Sequence, residues 1–346
     1  MTESTNDWVT LLAANDRRGG TSGSRATPPA EVIWKVALPD GVRSSPIVDG
    51  DFVFVTCRDG RLRALDRRTG AERWNFVTAD SCDSTPALSG DLLIFGSDDG
   101  TLYAVKQSSG KLAWKTDGDG AIWSSPAVRG ESVYFGATDG TFRAVDRANG
   151  TLRWRRTFDA RICASPFAGE RLVYVCGSDG RIRALDAASG KDAWMHETGD
   201  GVIASPAVAD GLVLVGSEDG VFYALDAESG RVRWTFETGL GIASAAAVSG
   251  GRVVFASKDG HLYALHLRDG IEIWKSESMR TLTAPVVAAD ATVLIQMYYG
   301  GTRAFDAATG KALWRANLGP SLGSAPAVTA DAIYLATYPG AIYAVR

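Results

Sequence analysis

The sequence predicts an all-β fold: an eight-bladed β-propeller of four-stranded antiparallel blades, its ring closed by an N-terminal strand that completes the last blade. Three observations predict it. Eight tryptophans (Trp34, Trp74, Trp114, Trp154, Trp194, Trp234, Trp274 and Trp314) stand 40 residues apart without exception. Asp-Gly keeps the same pitch at 59–60, 99–100, 139–140, 179–180, 219–220 and 259–260. No stretch of ten or more residues carries a helical period. A fixed period of this length marks a repeat architecture, in which a unit too small to bury its own apolar face stacks on its neighbours. Four strands in 40 residues, repeated eight times, suit a propeller better than a sandwich or solenoid.

The elements follow in order within each repeat. Strand A is placed around Ser-Pro, at Pro46, Pro86, Pro126, Pro166 and Pro206; Ala246 breaks the series, Pro285 comes one residue early and Pro326 restores it. Strand B is a short β-branched and aromatic run, as in Phe52–Val55, Leu92–Phe95, Val133–Phe135 and Leu172–Val175. It ends at Asp-Gly, a hairpin signal because glycine accepts positive φ. Strand C follows, as in Leu62–Asp66, Leu102–Lys106 and Phe222–Asp226, and holds an alanine in every repeat from Ala64 to Ala344. A glycine turn, Gly70 to Gly310, leads to strand D with its tryptophan. The chain ends on a strand C, Ala341–Arg346, while Val32–Leu38 carries Trp34 with no A, B or C before it. That strand completes the last blade, and closure removes the exposed edges. Each indole buries roughly 150–250 Å², on the order of 4–6 kcal/mol against an extended chain, so the tryptophans are structural.

The propeller spans 30–346 as a single domain, and residues 1–29 form a polar segment, flexible or partly docked through Trp8 and Leu11-Leu12. Net charge is −4, against a non-specific nucleic-acid surface. No apolar run reaches the length of a membrane span. The start of the chain lacks a signal-peptide pattern, and Cys57, Cys82, Cys163 and Cys176 form no CxxC and no adjacent pair. A cytoplasmic protein with free thiols is expected, without nucleic-acid or membrane partners. The three histidines, His196, His261 and His266, are not spaced as ligands, so no metal site is expected.

The pattern A-x-D-x-x-T-G-x-x-x-W is carried by Ala64, Asp66, Thr69, Gly70 and Trp74, and again by Ala304, Asp306, Thr309, Gly310 and Trp314; D-G-x-L-Y-A-L precedes it in several repeats. With the lead-in Asp7-Trp8, Asn15-Asp16-Arg17 and Gly20, it resembles the tryptophan-docking repeat of the PQQ-like (quinoprotein-like) eight-bladed propellers. The resemblance implies the fold. In that family, alcohol dehydrogenases bind PQQ and calcium beside a ring of two adjacent cysteines, and outer-membrane assembly lipoproteins use the ring as a protein platform behind a lipidated N-terminal cysteine. This chain has no adjacent cysteines, and its first cysteine is Cys57, inside a strand. No cofactor is therefore expected, since fold is not function.

Function is sought where the repeats disagree. D–A loops and B–C turns share one face around the channel mouth, and loops carry variation on a rigid scaffold. Three residues before each Ser-Pro the repeats read Arg43, Asp83, Trp123, Cys163, Ile203, Ala243, Leu282 and Gly323. Flanking positions add Asp80, Arg161 and Arg280; the altered turns add Tyr298, Tyr299 and Tyr338. These residues form an arc through blades seven, eight, one, two, three and four, with five and six near consensus. Such a set suits a polar or anionic ligand with an aromatic portion. Arg43 and Arg161 would clamp an anion, Trp123 and the tyrosines would stack, and Asp83 would act as a base or simply pair with Arg43. The leading expectation is a binding module for a small molecule, peptide or protein partner at the mouth, with Arg43, Asp80, Trp123, Arg161, Cys163, Arg280 and Tyr299 as contacts. The alternative is a cofactor-independent acid–base enzyme, with Asp83 as base and Tyr298 or Tyr338 as acid. A PQQ-dependent oxidoreductase is the third reading.

Overall fold

The computed structural model describes residues 29, 31–289, 291–298, 301–321, 323–338 and 340–346. These residues form eight four-stranded antiparallel sheets and no helix. Blade one is Ile47–Asp49, Phe52–Cys57, Arg61–Asp66 and Glu72–Val77, in sheet order A-B-C-D. The last blade takes Ala327–Val328, Ile333–Thr337 and Ala341–Val345 from the end of the chain and Val32–Ala37 from its start. Lys35 lies opposite Tyr343 and Trp34 opposite Ala344, so the first described strand closes the ring. The segment 1–28, with Trp8 and Leu11-Leu12, lies outside the described residues.

Strand A begins after the Ser-Pro step, not around it. Proline has no N–H to offer a ladder, and the residue before it serves a different bond. The backbone N–H of Ser45 donates to Thr85 Oγ1 (2.9 Å), Thr85 to Ser125 Oγ (3.0 Å), Ser125 to Ser165 Oγ (2.9 Å) and Ser165 to Ser205 Oγ (2.9 Å). Ala325 N–H donates to Ser45 Oγ at 3.0 Å. A string of hydroxyls thus ties the inner ends of blades eight and one to five. The equivalent places in blades six, seven and eight are Ala245, Pro285 and Ala325, which offer no hydroxyl.

The tryptophans are the joints between blades. Trp34, Trp74, Trp114, Trp154, Trp194, Trp234 and Trp274 each donate from Nε1 to a backbone carbonyl 33 residues on, at 2.9–3.1 Å. The repeat glycine has a second reason beyond its turn: Gly70 sits at φ 73°, and a Cβ there would lie 2.8 Å from the Trp34 ring. Within a blade, Trp74 faces Ala64 across strands C and D, and the register shifts just after that alanine. The repeat aspartate closes the C–D turn, with Asp66 Oδ1 accepting from Arg68 N, Thr69 N and Thr69 Oγ1 at 2.9–3.0 Å. His266 stands at the same place and is exposed; its backbone accepts from Gly270 N, so the turn survives the loss of the carboxylate.

Candidate functional site at the channel mouth

The D–A loop and B–C turn of a blade are stitched together on one face. Arg58 N–H donates to Gly41 O, Asp98 to Ser81, Thr138 to Ala121, Ser178 to Arg161, Glu218 to Gly201 and Lys258 to Gly241. The mouth is lined from the D–A loops by Arg43, Ile203, Ala243, Thr283 and Gly323 and from the B–C turns by Lys258 and Tyr298; Leu282, three residues before Pro285, is instead buried in the core.

A cavity of about 980 Å³ opens at this mouth. Its apolar lining is Ile203, Leu240, Ala243 and Met279, and its cationic groups are Arg43, Lys258 and Arg280, with Tyr298 at the edge. Lining residues come from blades five, six, seven, eight and one. Small residues make the room: Ala243 and Gly323 hold the place that Arg43, Asp83 and Trp123 fill elsewhere. Lys258 Nζ pairs with Glu218 at 2.5 Å, bridging blades five and six. Burial pushes the Asp259 carboxyl up, but hydrogen bonds from Tyr263 and from the Gly239 and His261 amides leave it below its ordinary range.

The opposite sector, over blades one to three, is filled. Arg43 Nη1 donates to Asp83 Oδ2 at 3.3 Å, and Arg58 Nε stands 3.7 Å from Asp83 Oδ1, too long for a hydrogen bond. The Asp83 side chain is 9% exposed and Arg43 is 42% exposed. Burial raises the proton affinity of Asp83 more than Arg43 and Arg58 lower it. Burial, then Asp83 and Asp80, push Asp98 up to about 6, although Trp123 lies within hydrogen-bonding reach of it. Asp83 Oδ1, Asp98 Oδ1 and Arg58 Nε are buried without a hydrogen-bond partner among the described residues.

The structure distributes the candidate residues unevenly. Arg43, Arg280 and Tyr298 line the cavity together. Arg43 also joins Asp83 on the filled side, and Trp123, 39% exposed, meets Asp98 there. The Asp80 carboxylate accepts from Ser81 N and its carbonyl from Thr78 and Ser97, which makes it a loop-forming residue. Arg161 is exposed on blade four. Cys163 beside it has its thiol pushed up by burial, with Arg161 pulling back, so it is not the activated thiolate a nucleophile needs. Tyr338 packs where a side chain on Gly41 would stand. Tyr299 lies outside the described residues. Ile203, Leu240, Met279, Lys258, Arg58 and Asp98 belong to the mouth and were not singled out from the sequence. The signal for three of them is the residue before Asp-Gly, which reads Arg58, Asp98, Thr138, Ser178, Glu218 and Lys258 before Tyr298 and Tyr338.

A sequence-family description, outer membrane protein assembly factor BamB, matches residues 24–84, 58–157, 144–201, 178–302 and 300–346. The chain belongs to this family. No curated protein matches the sequence. Among solved structures it is similar to BamB from Moraxella catarrhalis, at TM-score 0.80 and 19% identity over 91% of this chain and 99% of that one. It is similar to the computationally designed Ika8 protein, at 0.81 and 17%, over 91% and 99%. It is also similar to the quinohemoprotein alcohol dehydrogenase from Comamonas testosteroni, at 0.82 and 17%, over 99% and 80%. At these identities the likeness is one of fold. A calcium seat does not fit this BamB-family mouth: among the described residues no group of three or more His, Cys, Asp or Glu could hold a metal ion.

Proposed function

We propose that this BamB-family propeller is a binding module whose channel mouth holds a ligand with an anionic group and an apolar or aromatic body, presented by a small molecule, a peptide or a protein partner. The cavity over blades five to eight and one carries the reading. Ile203, Leu240 and Met279 supply an apolar floor, and Arg43, Lys258 and Arg280 supply charge around it. Arg43 is already oriented by Asp83, which lowers the ordering cost of clamping a carboxylate. The family description names an assembly factor for outer membrane proteins, and that supports a protein partner among the three. The test is a titration with acidic, aromatic-bearing peptides and aromatic carboxylates. The double variant R43A/R280A should lose at least about tenfold in affinity, the equivalent of one charge-assisted bond, with an unchanged melting temperature. Equal affinity removes the mouth from consideration. The cytoplasmic location proposed with this reading is overturned if cell fractionation finds the protein with the membranes.

A second reading has its own observation. Asp98, raised to about 6 beside the buried Asp83, is half-protonated about one pH unit below neutral and exchanges a proton there with a ligand anchored by Arg43. Any substrate turned over at the mouth should then show a pH–rate profile with an apparent pKa near 6. A profile unchanged in D98N contradicts the assignment.

A further inference from the structure

Away from the mouth, one position on the flank of each blade compares electrostatics eight times over. The residue before the strand C alanine lies directly opposite the residue after the tryptophan. The pairs are Arg63–Asn75, Tyr103–Lys115, Arg143–Arg155, Arg183–Met195, Tyr223–Thr235, Tyr263–Lys275, Arg303–Arg315 and Tyr343–Lys35. Where strand C has tyrosine, strand D has lysine or threonine, and Lys35 and Lys275 lie over the tyrosine rings. Where strand C has arginine in blades one and four, strand D is neutral, and the turn aspartate holds the guanidinium: Arg63 pairs with Asp59 and Glu72, Arg183 with Asp179. Blades three and seven break both rules by setting arginine against arginine, an arrangement that like-charge repulsion disfavours.

Blade three shows what this leaves. Arg143 is 5% exposed. Its guanidinium makes one hydrogen bond among the described residues, a long one of 3.4 Å to the Asp117 carbonyl. Asp139, the counterpart of Asp59 and Asp179, is taken up by Thr141 N and Oγ1. Burial and then Arg155 lower the proton affinity of Arg143 more than Asp139 and Asp119 raise it. A cavity of about 280 Å³ is lined by Arg143 and Arg155 together with Thr116, Asp117, Gly118, Asp119 and Leu152. Lys115 holds Asp117 at 3.0 Å, which partly cancels its charge at the rim. In blade seven the counterpart Arg303 has a buried Nε with no partner among the described residues.

We propose that the Arg143–Arg155 pair seats a small phosphate-type oxyanion on the flank of blade three. Two opposed guanidinium groups supply two positive charges and several N–H donors, the complement of a dianion with multiple acceptor oxygens. The bound anion supplies the partner that Asp59 and Asp179 give to Arg63 and Arg183, and it removes the repulsion across the two strands.

The experiment compares the full chain with R155M, which gives blade three the residue found in blade four and so should fold. Melting temperature is followed against inorganic phosphate and against sodium chloride at equal ionic strength. In the wild type, phosphate should give a saturating rise beyond that of chloride; in R155M the response should shrink and the apparent Kd rise by at least about tenfold, the loss of a charge-assisted contact. Without phosphate, R155M should melt above the wild type because the repulsion is gone. Chloride matching phosphate, an identical phosphate response in R155M, or R155M melting below the wild type in phosphate-free buffer each overturns the proposal.

Discussion

The two sides of the channel mouth are built from one repeat and have opposite character. Over blades one to three the inner ends are tied by the hydroxyl string through Ser45, Thr85 and Ser125. Charged side chains fill the space above, with Arg43 and Arg58 around Asp83 and Trp123 at Asp98. Over blades six and seven Ala245 and Pro285 interrupt the string, and the space is left as the cavity. The difference teaches that a closed repeat ring acquires a cavity by relaxing its own rule over a few blades: small residues open the volume while the intact blades keep the circle.

The strongest way to break this comparison is to damage the string. Thr85→Val removes the acceptor of the buried Ser45 N–H at unchanged shape and should cost about 1–3 kcal/mol, the desolvation penalty of an unpaired buried donor. Ala245→Ser, which adds a hydroxyl where the string is interrupted, should change stability by less than about 1 kcal/mol. Chemical denaturation checks both, and equal effects would mean that the string does not distinguish the sectors.

Protonation sharpens the comparison, because the two sides respond to acid in opposite senses. Asp98 has a folded pKa raised to about 6, so its burial costs nothing below the ordinary carboxylate range and progressively more as pH rises from about 4 to about 6. Asp259 has a lowered folded pKa, so its contribution is present above the ordinary range and is lost as pH falls below about 4. Melting curves of D98N should therefore gain on the wild type as pH rises through the first window. Those of D259N should lose least against the wild type at the acid end of the second. Parallel curves would erase the distinction. The smallest effect belongs to Arg43→Gln: its pair with Asp83 is partly exposed, and stability should fall by no more than about 1 kcal/mol, while ligand binding falls by far more.

The ring was legible because its marks are chemical and periodic: the tryptophan, the turn glycine against its ring, and the aspartate that caps the C–D turn. The Arg43–Asp83 pair was legible for a similar reason, since two unusual residues stand at one position of adjacent repeats. The cavity was not. Ile203, Leu240 and Met279 are ordinary apolar residues, and Ala243 matters for the atoms it lacks, so comparing repeats for unusual chemistry passed over blades five and six. Asp98 was missed because the residue before Asp-Gly was compared only where the turn itself changed. Its elevated proton affinity arises from burial beside Asp83 and Asp80, a property of neighbours brought together from different segments.

Val32 lies opposite Val345, so the strand that seals the circle is made long before its partner. During synthesis that strand must wait, unpaired, until the rest of the ring has left the ribosome. Such a distant pairing delays the final step of folding. Until it forms, the newborn protein is an open arc with two bare flanks, exposed to the very edge-to-edge association that the finished circle prevents.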